Sequence, residues 1–337
     1  MRHISRWDLD KTYLRTEFDT VRDLVRTAFE RPDEKRTNPG AGTLLREMRR
    51  AGVTVHILSG SPEQMRRTLE DKLRLDGIAW DSFTLKPNLQ NMLRLRFRAL
   101  RDQLGYKLPA LLLTRTSERP EEIAGVKETL FGDDAEADAF VYSLYGDVMA
   151  GRVGEEHLRE ISQKGRVYED VLEGMIRAVR QVKAEEVVER ILIHLEKQTP
   201  PGDFQVYGGR VVPFYNYLQA AFVVHEDGRL PPRSVLRVAT ELVTQHRFDG
   251  DALARSYLDL GKRGHLRGDR IPEIAQALSE WESEGGVLAG KELRAMVERL
   301  PEHAEVAASR HRPPAEQPMP DYLALVGRHN PRHKKKR

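Results

Sequence analysis

Val53-Thr54-Val55-His56-Ile57-Leu58 runs directly into Ser59-Gly60-Ser61-Pro62. The first six residues form a β-branched, mostly apolar run suited to a buried strand. Ser61-Pro62-Glu63 then opens a helix, with proline in the first turn, where no amide donor is needed. The same succession of strand, polar cluster and helix recurs on either side. Upstream, a short strand ending at Trp7 leads into Asp8-Leu9-Asp10-Lys11-Thr12. Downstream, residues 80–85 read as a third strand. Thr129-Leu130-Phe131 ends a fourth and leads into Gly132-Asp133-Asp134-Ala135-Glu136-Ala137-Asp138. Between the strands lie helical stretches: 18–30, with Val21, Leu24, Val25 and Phe29 on one face, and 43–50 after the break at Asn38-Pro39-Gly40. Strands separated by helices imply an α/β fold, a parallel sheet with helices on both faces.

In such a sheet the carboxyl ends of the strands share one edge, and ligands bind there. Polar clusters that end separate strands therefore meet in space although they are far apart in the chain. Any one of them alone is ordinary: Asp-x-Asp as a turn or cap, Ser-x-Ser-Pro as a helix start, Gly-Asp-Asp as a loop. Their joint order and strand-end position mark a site. Acids gathered at one edge repel each other unless a cation sits among them, and hard oxygen ligands suit Mg²⁺.

Composition narrows the alternatives. The 337 residues are 39% hydrophobic and 32% charged, which is material for a sizeable core beneath a polar surface. The absence of cysteine excludes disulfides, thiolate metal sites and a cysteine nucleophile. Net charge is only +3, and residues 328–337 could supply most of that surplus, so bulk charge makes no case for nucleic acid as a partner. No apolar run approaches the roughly 20 residues a membrane helix needs, and no signal peptide is visible at the N-terminus, so a cytoplasmic location is expected.

Beyond residue 150 the character changes. Residues 155–197 are strongly charged and read as mostly helical, with Val171, Leu172, Met175, Ile176 and Val179 on one stripe. Gln205-Val206-Tyr207, Gly208-Gly209 and Arg210-Val211-Val212 read as a hairpin. More helix is expected over 231–300, and from about 308 a disordered tail rich in Pro, His and Arg. The expected organisation is a sheet domain over 1–150, a mainly helical accessory region over 151–307, and a basic tail over 308–337. Phe204, Tyr207, Phe214, Tyr215, Tyr217 and Phe222 are read as core aromatics, with His225 and His246 as structural or surface residues.

The order of motifs resembles the haloacid dehalogenase superfamily. Its four motifs match Asp8, Asp10 and Thr12, then Ser59, then a lysine, then Asp133 and Asp134. Within it, residues 1–150 resemble the actin-patch-associated phosphatidate phosphatase catalytic domain and its bacterial relatives. The likeness extends to Leu24-Val25-Arg26-Thr27-Ala28-Phe29-Glu30-Arg31-Pro32, to Pro39-Gly40-Ala41, and to residues 133–142. The resemblance implies a Rossmann-like core with a minimal cap and a Mg²⁺-dependent phosphomonoester hydrolase. Asp8 would be the nucleophile and Asp10 the general acid and base. Asp8, the Asp10 carbonyl and Asp133 would hold Mg²⁺, while Ser59 and amides near Leu9 and Gly60 would hold phosphoryl oxygens. Thr12 would brace the loop, and Asp134 and Asp138 would reach the metal through water or orient Asp133.

For the lysine, Lys107 in Tyr106-Lys107-Leu108 resembles the family's step at the start of a helix. Lys86 at a strand end could also reach phosphate, and Lys127 lies too far back along the fourth strand. Lys107 is taken. The chain departs from the family in three places. His3, Ser5 and Arg6 make the first strand polar where a central strand should be apolar. Lys11 stands where the phosphatidate phosphatases have an acid, and no fifth strand is legible after residue 150.

The segments between motifs are too short for a full cap, and an open site suits a bulky phosphorylated substrate such as a lipid headgroup. A phosphoprotein, a polynucleotide end, or a catalytically idle fold serving as a binding module are the alternatives. The final Lys334-Lys335-Lys336-Arg337 would add weak attraction to anionic membranes.

Overall fold

The computed structural model describes residues 2–15, 31–86, 100–286, 288–313 and 319–329. Six strands, β1 (His3–Asp8), β2 (Thr54–Pro62), β3 (Ser82–Lys86), β4 (Lys127–Asp133), β5 (Val188–His194) and β6 (Val211–Phe214), form one all-parallel sheet in the order β3-β2-β1-β4-β5-β6. Helices α1 (Ala41–Arg50) and α2 (Arg66–Leu75) flank β2 in sequence. Between β3 and β4 lie α3 (Leu100–Thr116) and the short α4 (Pro120–Ile123). Next come α5 (Asp138–Met149), α6 (Glu155–Lys164) and α7 (Glu169–Val179), before β5. After β6 follow α8 (Tyr217–Glu226), α9 (Pro232–His246), α10 (Gly250–Lys262), α11 (Ile271–Ser283), α12 (Gly290–Arg310) and α13 (Tyr322–His329). Among the described residues, no helix is long and apolar enough to cross a membrane.

Alternation along the strands feeds two cores, one on each face. Trp7, Ile57, Phe131, Leu192 and Val212 pack with α1, α2 and the helices from α8 to α12. Leu58, Leu130, Ile191, Ile193 and Val211 pack with α3, α5, α6, α7 and α13. Helices thus cover both faces, as the strand–helix succession requires.

The polar first strand is central after all. His3, Ser5 and Arg6 are all buried, and each has a hydrogen-bond partner on a neighbouring strand. His3 Nε2 lies 2.9 Å from Thr129 Oγ1, and Ser5 Oγ donates to the Thr54 carbonyl at 3.4 Å. Arg6 grips Glu128 with two hydrogen bonds, Nε to Oε2 at 2.7 Å and Nη2 to Oε1 at 2.9 Å. A buried charge is tolerated where it is paired in this bidentate way.

Several expectations for the second half are corrected. A fifth strand exists, and so does a sixth: β5 and β6 extend the sheet beyond β4, so the expected boundary at residue 150 falls inside one continuous sheet. Only α6 and α7 of the stretch 155–197 are helical before β5 begins. Residues 205–212 make no hairpin. Pro201–Tyr207 is a 3-10 turn and β6 runs parallel to β5, pairing Leu192 with Val212 and His194 with Phe214. The tail is not wholly disordered, since α12 continues to Arg310 and α13 docks on α5 and α6. Tyr322 of α13 is fully buried, packed edge-on against Phe140 and hydrogen-bonded to Asp147. The expected helix 18–30, the basic end 330–337, and the stretches 16–30 and 87–99 that bear on cap size lie outside the described residues.

Of the C-terminal aromatics, Phe204, Tyr207, Phe214, Tyr217 and Phe222 are buried, whereas Tyr215 is 46% exposed. His225 is buried with Nδ1 at 2.8 Å from the Leu230 carbonyl, a structural contact.

Candidate active site

Strand order reverses between β1 and β4: the chain builds outward through β2 and β3 on one side, then through β4, β5 and β6 on the other. The crevice outside the carboxyl ends of strands at such a reversal is where open α/β sheets bind ligands. Asp8 is the last residue of β1 and Asp133 the last of β4, so the reversal point carries an acid on each side.

Three acids meet there. Asp8, Asp133 and Asp138 each offer a carboxylate oxygen, and these atoms lie within 4.8 Å of one another, all buried. Gly132 makes the approach of Asp138 feasible, because a Cβ at that position would stand 2.5 Å from the Asp138 carboxylate. Asp133 is wrapped by its own loop, its Oδ1 accepting from the amides of Ala135 at 2.6 Å and Glu136 at 3.1 Å. Burial pushes the Asp8 carboxyl well above the usual range against the pull of Lys107, with Asp138 and Glu136 adding to the rise. Burial does the same to Asp133, reinforced by Asp138 and Glu136.

One cation answers these acids among the described residues of the cluster. Lys107, in the middle of α3 rather than at a helix start, is fully buried, with Nζ 3.2 Å from Asp8 Oδ1, 2.8 Å from Glu136 Oε2 and in close contact with Asp138 Oδ1. Burial alone would lower the Lys107 ammonium, but Asp138, Asp8 and Glu136 hold it well above its ordinary range. One ammonium is insufficient, because Asp8 Oδ1 is buried and accepts no hydrogen bond. An all-oxygen donor set with surplus negative charge and an unsatisfied carboxylate oxygen fits a hard divalent cation.

Asp10 sits apart from this cluster in chemistry. Its Oδ2 accepts from Ser59 Oγ at 3.0 Å and from Ser61 Oγ at 2.8 Å. Burial raises its carboxyl above the usual range even though both serines pull the other way. The Ser61 amide in turn donates to Ser59 Oγ at 3.0 Å, which sets the rotamer of that hydroxyl. Gly60 between them is half-buried, and a Cβ there would meet nothing within 4 Å, so the end of β2 borders open space.

The loop 9–14 is clamped from several directions. Thr12 Oγ1 lies 3.4 Å from Asp8 Oδ2 and 3.3 Å from Asp133 Oδ2, bracing the two strand-end acids together. Asn38 Nδ2 donates to the carbonyls of Lys11 at 3.0 Å and Thr12 at 2.7 Å. Tyr217 of α8 donates its hydroxyl to the Thr12 carbonyl and lies 6.2 Å, ring to ring, from Trp7. Trp7 is itself stacked on Phe131 at 3.7 Å. These partners hold a strained turn, since Lys11 has φ of 61°.

The structure thus brings together Asp8, Asp10, Thr12, Ser59, Gly60, Lys107, Asp133 and Asp138 at one sheet edge. Asp134 does not join them: its carboxylate accepts from the amides of Lys197 at 2.8 Å and Thr199 at 2.9 Å, tying down the loop after β5. Lys86 lies with Nζ 5.9 Å from the Tyr106 ring centre, at the end of β3. Lys127 bonds the Glu186 carbonyl at the far end of β4. Sequence reasoning missed Ser61, Glu136, Asn38 and Tyr217. The Ser-x-Ser spacing contained the signal for Ser61, because alternate residues at a strand end share a side. Comparison of the chain with family models, with curated proteins and with solved structures finds no match to any of them.

Proposed function

We propose that this chain is a Mg²⁺-dependent phosphomonoester hydrolase working in the manner of the haloacid dehalogenase superfamily, through a phosphorylated Asp8. The observation that carries the reading is Lys107 buried against Asp8 beside Asp133 and Asp138, at the reversal point of a parallel sheet, with Asp10 held by two serine hydroxyls. A carboxylate paired with a buried ammonium, next to a second carboxyl that accepts from two serine hydroxyls, supports a nucleophile paired with a general acid.

In the first half-reaction an Asp8 oxygen bonds to phosphorus as the ester P–O bond breaks on the opposite side. Asp10, which burial disposes to carry a proton, gives it to the leaving oxygen. In the second, water attacks the same phosphorus, Asp10 takes its proton, and the bond to Asp8 breaks. The sum is ester plus water to alcohol plus inorganic phosphate. Mg²⁺ bound by Asp8 and Asp133 would offset negative charge as carboxylate meets phosphate. Ser59 and the amides near Leu9 and Gly60 hold the phosphoryl oxygens, and Lys107 favours the charged form of Asp8 against its burial. The substrate class we favour is a bulky phosphomonoester, phosphatidate among them.

Phosphate release from an aryl phosphate and from phosphatidate, with Mg²⁺ and with chelator, tests this in wild type and Asp8→Asn. Metal-dependent release that falls to background in Asp8→Asn is the expected result. Release that survives Asp8→Asn would assign the nucleophile elsewhere. No release from these esters, phosphopeptides or polynucleotide ends would favour a catalytically idle binding fold.

A further inference from the structure

Lys107 Nζ donates to Asp138 Oδ1 and to Glu136 Oε2, and pairs with Asp8 Oδ1 by charge at 3.2 Å. The three are not equivalent. Asp8 and Asp138 are rigid parts of strand and helix, their side chains 1% and 0% exposed. Asp138 is locked further by the Asp133 amide, which donates to its Oδ2 at 3.1 Å, and by Gly132 pressed against it. Glu136 differs. Its backbone is fixed by the 3.1 Å bond to Asp133 Oδ1, but its side chain is 15% exposed and reaches Lys107 from the loop between β4 and α5. Among Lys107's three acidic partners, Glu136 alone has solvent to move into.

We propose that Glu136 is a displaceable occupant of the phosphate-binding side of Lys107: its carboxylate accepts one Lys107 proton until a phosphoryl oxygen of the ligand takes that place and the glutamate swings out. This rests on the phosphoryl-transfer reading and deepens it, naming a residue that sets affinity for the anion without touching the reacting bond. Physically, Glu136 does two things against an incoming phosphate. It holds Lys107 in a state not competent to bind, which weakens apparent affinity by the fraction of time it is engaged. It also adds a negative charge near the incoming dianion. In return, it accepts one of the two hydrogen bonds that Lys107 donates, which a buried ammonium would otherwise lose.

The test is titration of inorganic phosphate by calorimetry in the presence of Mg²⁺, with wild type, Glu136→Ala and the near-isosteric Glu136→Gln, alongside steady-state release from an aryl phosphate. The account expects phosphate to bind roughly fivefold tighter in both variants, and KM to fall by more than kcat changes. If Glu136 instead braces Lys107, phosphate binding weakens and KM rises in Glu136→Ala, and the inference is overturned. Unchanged affinity in both variants overturns it too. A wild type that neither binds phosphate nor releases it removes the phosphoryl-transfer reading itself, and this inference with it. An active wild type with weaker-binding variants removes the inference alone.

Discussion

Two buried charge clusters share the same four elements and are built to opposite ends. Arg6 and Asp8 stand two residues apart on β1, so they face the same side of the sheet. Helix α3 supplies Arg115 to the first cluster and Lys107 to the second, and α5 supplies Tyr145 to the first and Asp138 to the second. Strand β4 contributes Glu128 to one and Asp133 to the other. About two helical turns, on the order of 11 Å, separate the paired contributions along each helix.

The inner cluster is closed. Glu128 accepts from Arg6, from Arg115 Nη1 at 3.0 Å and from the Tyr145 hydroxyl at 3.1 Å. Burial pushes the Glu128 carboxyl up, but Arg6 and Arg115 more than offset it and hold it below the usual range. Among the described residues, the outer cluster sets Asp8, Asp133, Asp138 and Glu136 against Lys107, and burial leaves three of those carboxyls with raised proton affinity. A surplus of buried anions costs stability unless a cation offsets it, and functional sites concentrate such surpluses. Balanced charge holds the sheet together. Unbalanced charge waits for a ligand.

The largest effect expected from this contrast is on the balanced side. Glu128→Ala leaves two buried guanidinium groups without their carboxylate, and removing one partner from such a network costs about 3–5 kcal/mol. Denaturant unfolding should register that loss in full, while whatever molecules remain folded keep their Mg²⁺ response. A Glu128→Ala protein as stable as wild type would mean the two clusters are not distinct in kind.

A smaller effect concerns protonation. His56 is buried with Nδ1 3.4 Å from Arg6 Nη1, and burial followed by the charge on Arg6 lowers its imidazole to about 4. The unfolded chain takes up a proton near pH 6.5 and the folded chain does not, so stability is full above that pH and declines as pH falls toward 4. The loss from this one residue is on the order of 3 kcal/mol. His56→Gln should flatten the decline between pH 6.5 and 4, read as the slope of unfolding midpoint against pH with Mg²⁺ held constant. An unaltered slope would place the acid sensitivity elsewhere.

Much of the outer cluster is legible in the amino-acid sequence, and little of the inner one. Ser59 and Asp133 each end an apolar or β-branched run, so strand periodicity sends them to a common edge, whereas Asp8 follows a polar strand and is placed by its Asp-x-Asp motif and the order of the clusters. Lys107 needed the resemblance, because a lysine within a helix has no local signature. Arg6 and His3 read as faults in a central strand because their partners, Glu128 and Thr129, lie more than a hundred residues away, and pattern along the chain cannot see a pairing across it. The same blindness applies to Val211-Val212-Pro213-Phe214. Its local turn residues suggested a hairpin, but the side chains of both faces are buried and packing against β5 makes it a parallel strand. Tyr322 was lost in a Pro- and His-rich tail for a related reason: a single aromatic that finds Phe140 and Asp147 outweighs the composition around it.

The unfolding midpoint of wild type and Asp133→Asn, followed as Mg²⁺ is titrated from chelator to excess, tests most directly whether the outer cluster is a cation site. Wild type should gain stability with Mg²⁺ in proportion to the logarithm of its concentration above the dissociation constant. Asp133→Asn should begin higher in chelator by about 1 kcal/mol, because one buried negative charge is gone, and then respond little to the metal. A wild-type midpoint indifferent to Mg²⁺ and to other hard divalent ions, with Asp133→Asn no more stable than wild type in chelator, would contradict the account at its centre.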